Sequence, residues 1–372
     1  MPALNLAPAF SAFAALTRFA PPQPVHTFFR SAAYKLRPPR PRPHACVVTR
    51  AQADVLARGL AAPRQRATLL REHRFGPTPT IVLGGFVPDS TEQVFLLRGF
   101  LLRQGSVYYF NYARGGFSPE LICAQLDDLV GELAALHGQR PVIFAVSFGV
   151  GLVLEWLRRA RAAGRAPDLA GLVLVSPVAC AADIVTPGEA KPSTLIGRAL
   201  KPYLDGGERI DAAGVERSRA VFAKMFEAGA QNREALRALM TADELRHLRD
   251  AVLGSIRQID ATGACERVRA LRDMPPLSAW AAPDLLPLSA APALVLYAEK
   301  ESAALAARSP TRAAFESALA AFFPQGELRV VTAPAGGSPV QHASLIFHYF
   351  QFLPPVAAFY RELKRRKFRL AA

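Results

Sequence analysis

The sequence predicts an α/β protein: a mostly parallel sheet flanked by helices and interrupted by an inserted helical cap. Three observations predict it. From Thr80 onward, short apolar runs alternate with helical stretches, the pattern of a sheet built from βαβ units. Between the fourth and fifth runs lie more than 100 residues with no convincing strand. The third run passes straight into a helix through a turn of small residues around Ser147.

In chain order the expected strands are Ile81 to Leu83, Val107 to Tyr112, Val142 to Val146, Leu172 to Val175, Ala293 to Tyr297 and Leu328 to Val331. The helix after the second run has Ser118 as N-cap, Pro119 in its first turn and Gly138 at its exit. Leu126, Leu129, Val130, Leu133 and Leu136 form its packed face. In the long insertion, Val215 to Leu239 is rich in helix formers, and Thr241-Ala-Asp-Glu244 reads as a capping box. The expected organisation is a basic, Pro/Arg-rich arm over residues 1–75, a core over 76–180 and 291–359, a helical cap over 181–290, and a basic tail over 360–372.

Composition bounds the function. With 51% hydrophobic and 20% charged residues, the 372-residue chain has ample apolar material for a packed interior. Its formal charge of +15 is confined to the ends, with +10 in residues 1–75 and +5 in residues 360–372, while the body between them is neutral. Such ends imply either contact with an anionic membrane surface or a solubility feature. Nucleic acid is not an expected partner, because the Arg-Pro alternation of Pro21 to Pro43 is no groove-binding helix. Cys46, Cys123, Cys180 and Cys265 lie far apart without a C-x-x-C pair, which predicts no metal site and fits a reducing compartment. Met1 to Ala20 lacks the basic start of a signal peptide, and no segment has the length of a spanning helix, so a cytoplasmic protein with at most peripheral membrane contact is expected.

The chemistry concentrates at Val142-Ile-Phe-Ala-Val146 followed by Ser147-Phe-Gly149-Val-Gly151. A nucleophile raised on a sharp strand-to-helix turn needs small neighbours two positions to either side, and Ala145 and Gly149 supply them. With this elbow on the page, residues 78–355 resemble the α/β-hydrolase family. Ile81-Val-Leu-Gly-Gly-Phe86 is similar to its third strand and oxyanion loop, with Gly84-Gly85 where His-Gly is frequent. Asn111-Tyr-Ala-Arg-Gly-Gly-Phe-Ser118 resembles the turn after the next strand, and Ala293 to Glu301 the strand and turn that present the acid.

The resemblance implies a serine hydrolase with Ser147 as nucleophile, His342 as base and Glu301 as the acid that orients it, in the chain order of that fold. His342 follows the Gly336-Gly337 loop after the last strand and is preferred to His348, which sits inside an apolar helical stretch. Glu299, two residues before Glu301, and Asp183, after the preceding strand, remain alternatives for the acid. Backbone N–H groups of Phe86 and Phe148 are the implied oxyanion donors. Phe86, Phe148 and Trp280 suggest an apolar pocket for a small-molecule ester or thioester, with no metal or organic cofactor needed. Acyl transfer on the same triad and a non-catalytic binding protein on the same scaffold are the competing readings.

Overall fold

The computed structural model describes residues 40–371 except 206–209, 211, 230–235, 237 and 276. Residues 1–39, including the apolar start and most of the proline-dense arm, lie outside the described residues, as does part of the helical stretch expected from Val215 to Leu239.

In chain order the elements are β1 (Arg42–Pro43), α1 (Arg50–Ala57), β2 (Thr68–Glu72), β3 (Thr80–Leu83), α2 (Ser90–Gln93), α3 (Arg98–Leu102), β4 (Val107–Asn111), α4 (Pro119–His137), β5 (Val142–Val146), α5 (Phe148–Ala162) and β6 (Gly171–Val175). The insertion follows with α6 (Leu195–Asp205), α7 (Ala212–Gly229), α8 (Ala242–Gln258), α9 (Ala261–Asp273) and α10 (Leu277–Trp280). The chain then returns to the sheet as β7 (Ala293–Ala298), α11 (Pro310–Phe322), β8 (Gly326–Val331) and α12 (Tyr349–Ala371). The eight strands form one sheet in the order β1-β2-β4-β3-β5-β6-β7-β8, parallel from β4 to β8 and antiparallel at β1 and β2.

All six strands expected from the apolar runs are present, and the alternation of side chains divides the core in two. Ile81, Leu83, Ile143, Ala145, Leu172 and Leu174 pack on one face, against α4, α5 and α9. Val82, Phe144, Val146, Val173 and Val175 pack on the other, against α3 and α12. Helices on both faces explain why β3, β5, β6 and β7 are buried at every residue. Helix α4 is capped as expected, with Ser118 Oγ accepting from Leu121 N at 3.1 Å and Gly138 left-handed at φ 56°. Leu136 departs from its expected packed face: it is 55% exposed, because it lies in the last turn of α4, beyond the layer that α5 covers.

Two expected boundaries move. The N-terminal arm does not extend to residue 75, since β1 and β2 belong to the sheet and α1 packs beside α4. Two buried acids of α4 hold this segment. Asp128 accepts from Ala51 N, Gln52 N and the Gln52 side chain, at the positive N-terminus of α1, and Glu132 accepts from Val47 N. The tail is likewise no separate unit at residue 360. Helix α12 runs through it, and Tyr360 is buried with its hydroxyl 2.8 Å from Thr80 Oγ1.

Candidate active site

In an open parallel sheet, the loops after neighbouring strands leave a crevice where the chain reverses its direction of winding. Here the chain steps from β3 to β4 on one side and then crosses to β5 on the other. The loops that meet at that point carry Gly84 to Phe86, after β3, and Ser147, after β5. Ser147 has φ 51° and ψ −119°, a conformation that side chains rarely adopt. A methyl group on Gly149 would lie 2.5 Å from Gly84 O, and one on Gly151 would lie 2.6 Å from Val178 O. Both glycines are therefore required by close backbone approach.

Ser147 Oγ is 2.9 Å from His342 Nε2, and His342 Nδ1 is hydrogen-bonded to Glu301 Oε2. The carboxylate on Nδ1 fixes the tautomer, with Nδ1–H donating to Glu301 and Nε2 accepting from the serine hydroxyl. Glu301 is 3% exposed and also accepts from Ala298 N at 2.7 Å and from Ser176 Oγ at 2.8 Å. Burial alone would raise its pKa. The His342 imidazole and these two donors outweigh that and hold the carboxyl below its ordinary value.

The alternative residues stand elsewhere. Glu299 Oε1 accepts from Ala333 N at 3.0 Å and Val340 N at 2.7 Å, so it closes the loop that carries His342 without touching the ring. Asp183 is buried and accepts from Ala179 N, Cys180 N, Ser309 Oγ, Thr311 N and Thr311 Oγ1, which joins the start of the insertion to α11. His348 is buried, with Nδ1 2.9 Å from Ser344 Oγ and Nε2 3.3 Å from Ser338 O, and burial lowers its pKa.

Three non-glycine residues among those described have positive φ, namely Ser147, Ser176 and Ala343, and all three belong to this cluster. Ser176 Oγ donates to Glu301 and accepts from Ala343 N at 3.1 Å, so it ties the acid to the residue after the histidine. The sequence patterns do not single out Ser176. Its signal is positional, a hydroxyl at the carboxyl end of the strand between those presenting Ser147 and Glu301.

The Phe148 N–H is the first of its helix and has no intrahelical acceptor. On the facing loop, Gly84 N donates to Ser90 Oγ at 2.9 Å and Gly85 N to Gln93 Oε1 at 3.0 Å, while no described residue accepts from Phe86 N. A methyl group on Gly85 would sit 3.3 Å from Ser147 Cβ, so this loop lies directly against the serine.

Above the cluster is a cavity of about 400 Å³. Phe222, Met225 and Phe226 of α7, Ile256 of α8, and Ile346 and Phe347 after the histidine are among the apolar residues of its wall. Among the described residues no Lys, Arg, Asp or Glu lines it. Trp280 does not line it; the ring is 1% exposed within the main core. Phe148 is also fully buried, stacked on Phe86 at 4.3 Å, and only Phe86 of the pair reaches the cavity. Among the described residues, one group of three side chains, His44, Cys46 and Glu132, brings potential metal-ligating atoms within 4.8 Å of one another. Both Glu132 oxygens are already engaged there, by His44 Nε2 and Val47 N.

An epoxide hydrolase from Bacillus megaterium aligns with a TM-score of 0.53 and 10% identity, over 79% of this chain and 97% of its own. An esterase from Exiguobacterium antarcticum aligns with a TM-score of 0.51 and 13% identity, over 79% and 96%. This chain has the α/β-hydrolase fold. A putative aryl esterase from Burkholderia cenocepacia, with a TM-score of 0.50 and 17% identity over 80% and 96%, shares this α/β-hydrolase fold with it. No protein-family model matches the sequence, and no curated protein matches it. Among the described residues no helix is long and apolar enough to cross a membrane.

Proposed function

We propose that this protein is a serine hydrolase that cleaves a small-molecule ester or thioester with an apolar acyl part through an acyl-serine intermediate. The observation that carries the reading is the unbroken hydrogen-bonded series from Ser147 through His342 to Glu301, with the serine on a strained elbow. Ser147 Oγ attacks the carbonyl carbon while His342 Nε2 takes its proton, and Glu301 stabilises the imidazolium. The Phe86 and Phe148 N–H groups receive the oxyanion. As the tetrahedral intermediate collapses, His342 returns the proton to the leaving alcohol or thiol. Water then repeats the sequence on the acyl-serine. A cavity with no charged side chain among its described lining residues favours an aliphatic or aromatic acyl group over a charged one. Arg361, Lys364 and Arg365, exposed on α12, favour weak and salt-sensitive contact with anionic lipid alongside this activity.

The test is labelling by a fluorophosphonate together with turnover of p-nitrophenyl esters and acyl thioesters of graded chain length. Ser147→Ala abolishes labelling, and Ser147→Ala and His342→Ala each lower kcat by about 10⁴-fold or more with the fold intact, because the two act as one unit. A labelled serine without turnover of any ester or thioester would redirect the reading to acyl transfer onto another acceptor. An unlabelled serine in the folded protein would leave a binding protein.

A further inference from the structure

Arg267, on α9 of the insertion, is a buried charge without a counter-ion. It is 3% exposed, and no carboxylate lies within ion-pair distance among the described residues. Asp89 is taken by Arg114, and Asp260 caps α9 by accepting from Gly263 N at 2.7 Å. The guanidinium instead donates to three main-chain carbonyls: Nη1 to Phe86 O at 2.8 Å, and Nη2 to Ala113 O at 2.9 Å and Tyr112 O at 3.3 Å. Its carbon lies 5.5 Å from the centre of the Tyr112 ring, and Nε has no acceptor among the described residues. Burial, with Arg114 nearby, lowers its pKa to about 10, so it stays cationic at neutral pH. A leucine or methionine would fill this space without the desolvation cost of an unpaired cation. The acceptors show what the charge is for.

Phe86 is constrained from three directions. Gln93 Oε1 holds the preceding N–H, that of Gly85, and the Phe86 ring stacks on Phe148 at 4.3 Å with the planes 6° apart. Arg267 holds the carbonyl. Gln93 thus holds the peptide unit before, and Arg267 the unit after, the Gly85–Phe86 unit that carries the Phe86 N–H. Helix α9 is itself a fixed reference, because Asp260 N donates to Arg114 O and Glu266 accepts from Phe117 N, Gln65 Nε2 and Arg64 Nη2. A methyl group on Gly263 would stand 2.0 Å from Arg114 O, so helix and turn are in direct backbone contact.

We infer that Arg267 is a positioning residue, which holds the Phe86–Val87 peptide unit so that the Phe86 N–H, in the unit before it, faces the oxyanion formed at Ser147. This rests on the serine-hydrolase reading. It makes α9 part of the catalytic apparatus, where α7 and α8 form only the wall of the pocket. The planar fork of arginine reaches three carbonyls that a single ammonium cannot span.

The experiment uses the full chain and its Arg267→Lys, Arg267→Gln and Arg267→Ala variants. It measures kcat and KM on a p-nitrophenyl ester, affinity for a boronic acid that mimics the tetrahedral intermediate, and the thermal midpoint. The Gln and Ala variants are expected to lose about 10²-fold in kcat and comparably in boronate affinity, with KM little changed, as for loss of one oxyanion donor. The Lys variant keeps part of the activity and loses it with rising pH earlier than the wild type, because a buried ammonium gives up its proton more readily than a guanidinium. Millimolar guanidinium restores part of the activity of the Ala variant. A folded Gln variant with wild-type kcat and boronate affinity overturns the inference. If the Gln and Ala variants do not fold, a Lys variant whose kcat and alkaline limb match the wild type overturns it equally. A wild type that is neither labelled nor active would instead defeat the serine-hydrolase reading, an outcome seen before any variant is made.

Discussion

The two ends of the one sheet handle polarity in opposite ways. At the carboxyl end, Glu301 and Ser176 are buried and engaged in directed bonds, Glu301 with three donors and Ser176 with Glu301 and Ala343, beneath a cavity lined by no charged side chain among the described residues. At the amino end, a cleft of about 840 Å³ runs past the starts of β3, β5, β6, β7 and β8, lined by Arg140, Arg161, Asp168, Arg366 and several prolines. Its charges are half-exposed, as in the Arg140–Asp168 pair, where both side chains are 56% accessible. Geometry is over-determined at the first end and loose at the second. A substitution at the carboxyl end should therefore act on rate, and one at the amino end only on salt-dependent association.

The sharpest way to break this contrast is at the two glutamates, which differ by two positions and by what they hold. Glu301→Gln is expected to lower kcat by about 10³- to 10⁴-fold, since the amide presents the wrong partner to the imidazole and stabilises no imidazolium. Glu299→Gln keeps an acceptor for Ala333 N and Val340 N and is expected to cost less than tenfold. Steady-state kinetics on one ester rank them, and the reverse ranking would move the acid to Glu299.

The cap wall is the intermediate case, apolar contact without directed bonds. Phe222 borders both the main cavity and a smaller apolar one of about 50 Å³ beneath the cap, together with Phe86, Val87 and Ile256. Phe222→Ala joins the two spaces and is expected to move the preferred acyl chain longer by about two methylenes, each worth about 0.8 kcal/mol when buried. The kcat/KM series over graded esters checks this. An unchanged chain-length optimum would mean the smaller space is not continuous with the substrate site.

Much of this was legible in the sequence for definite physical reasons. Strands buried on both faces read as unbroken apolar runs, so β3 to β7 were visible, as were the elbow and the histidine loop; the half-exposed edge strand β8 was marked only by Leu328, Val330 and Val331. β1 and β2 were not, since half-exposed Thr68-Leu-Leu-Arg-Glu72, which is covered on its outer side only by the two-residue edge strand β1, carries neither a run nor a clean alternation, and Pro43 argues against a strand at all. Side-chain alternation holds only within a strand and cannot separate Glu299 from Glu301, so the preference for Glu301 rests on the resemblance. β7 ends at Ala298, and the turn beyond it sends Glu299 to the loop backbone and Glu301 to His342. Ser176 and Arg267 act through main-chain partners distant in sequence, and Gln93 through the N–H of Gly85 eight residues before it, none of which a spacing rule reveals.

The smallest effect belongs to the amino end and α12. Arg361, Lys364 and Arg365 are exposed there, and Tyr360, just before them, is buried in the core, so the charges ride on an anchored helix rather than on a separable tail. Truncation before Tyr360 would remove core packing together with charge, whereas reversal of the three exposed residues isolates the charge. Each basic group near an anionic surface contributes about 1 kcal/mol, and a Debye length of about 8 Å at physiological salt weakens the sum. Cosedimentation with phosphatidylserine vesicles is therefore expected at low salt, lost by physiological ionic strength, absent with phosphatidylcholine, and reduced in R361E/K364E/R365E while esterase turnover stays the same. If the intact chain ignores anionic vesicles even at low salt, the basic residues serve solubility alone, and the contrast between the two ends of the sheet reduces to one of solvation.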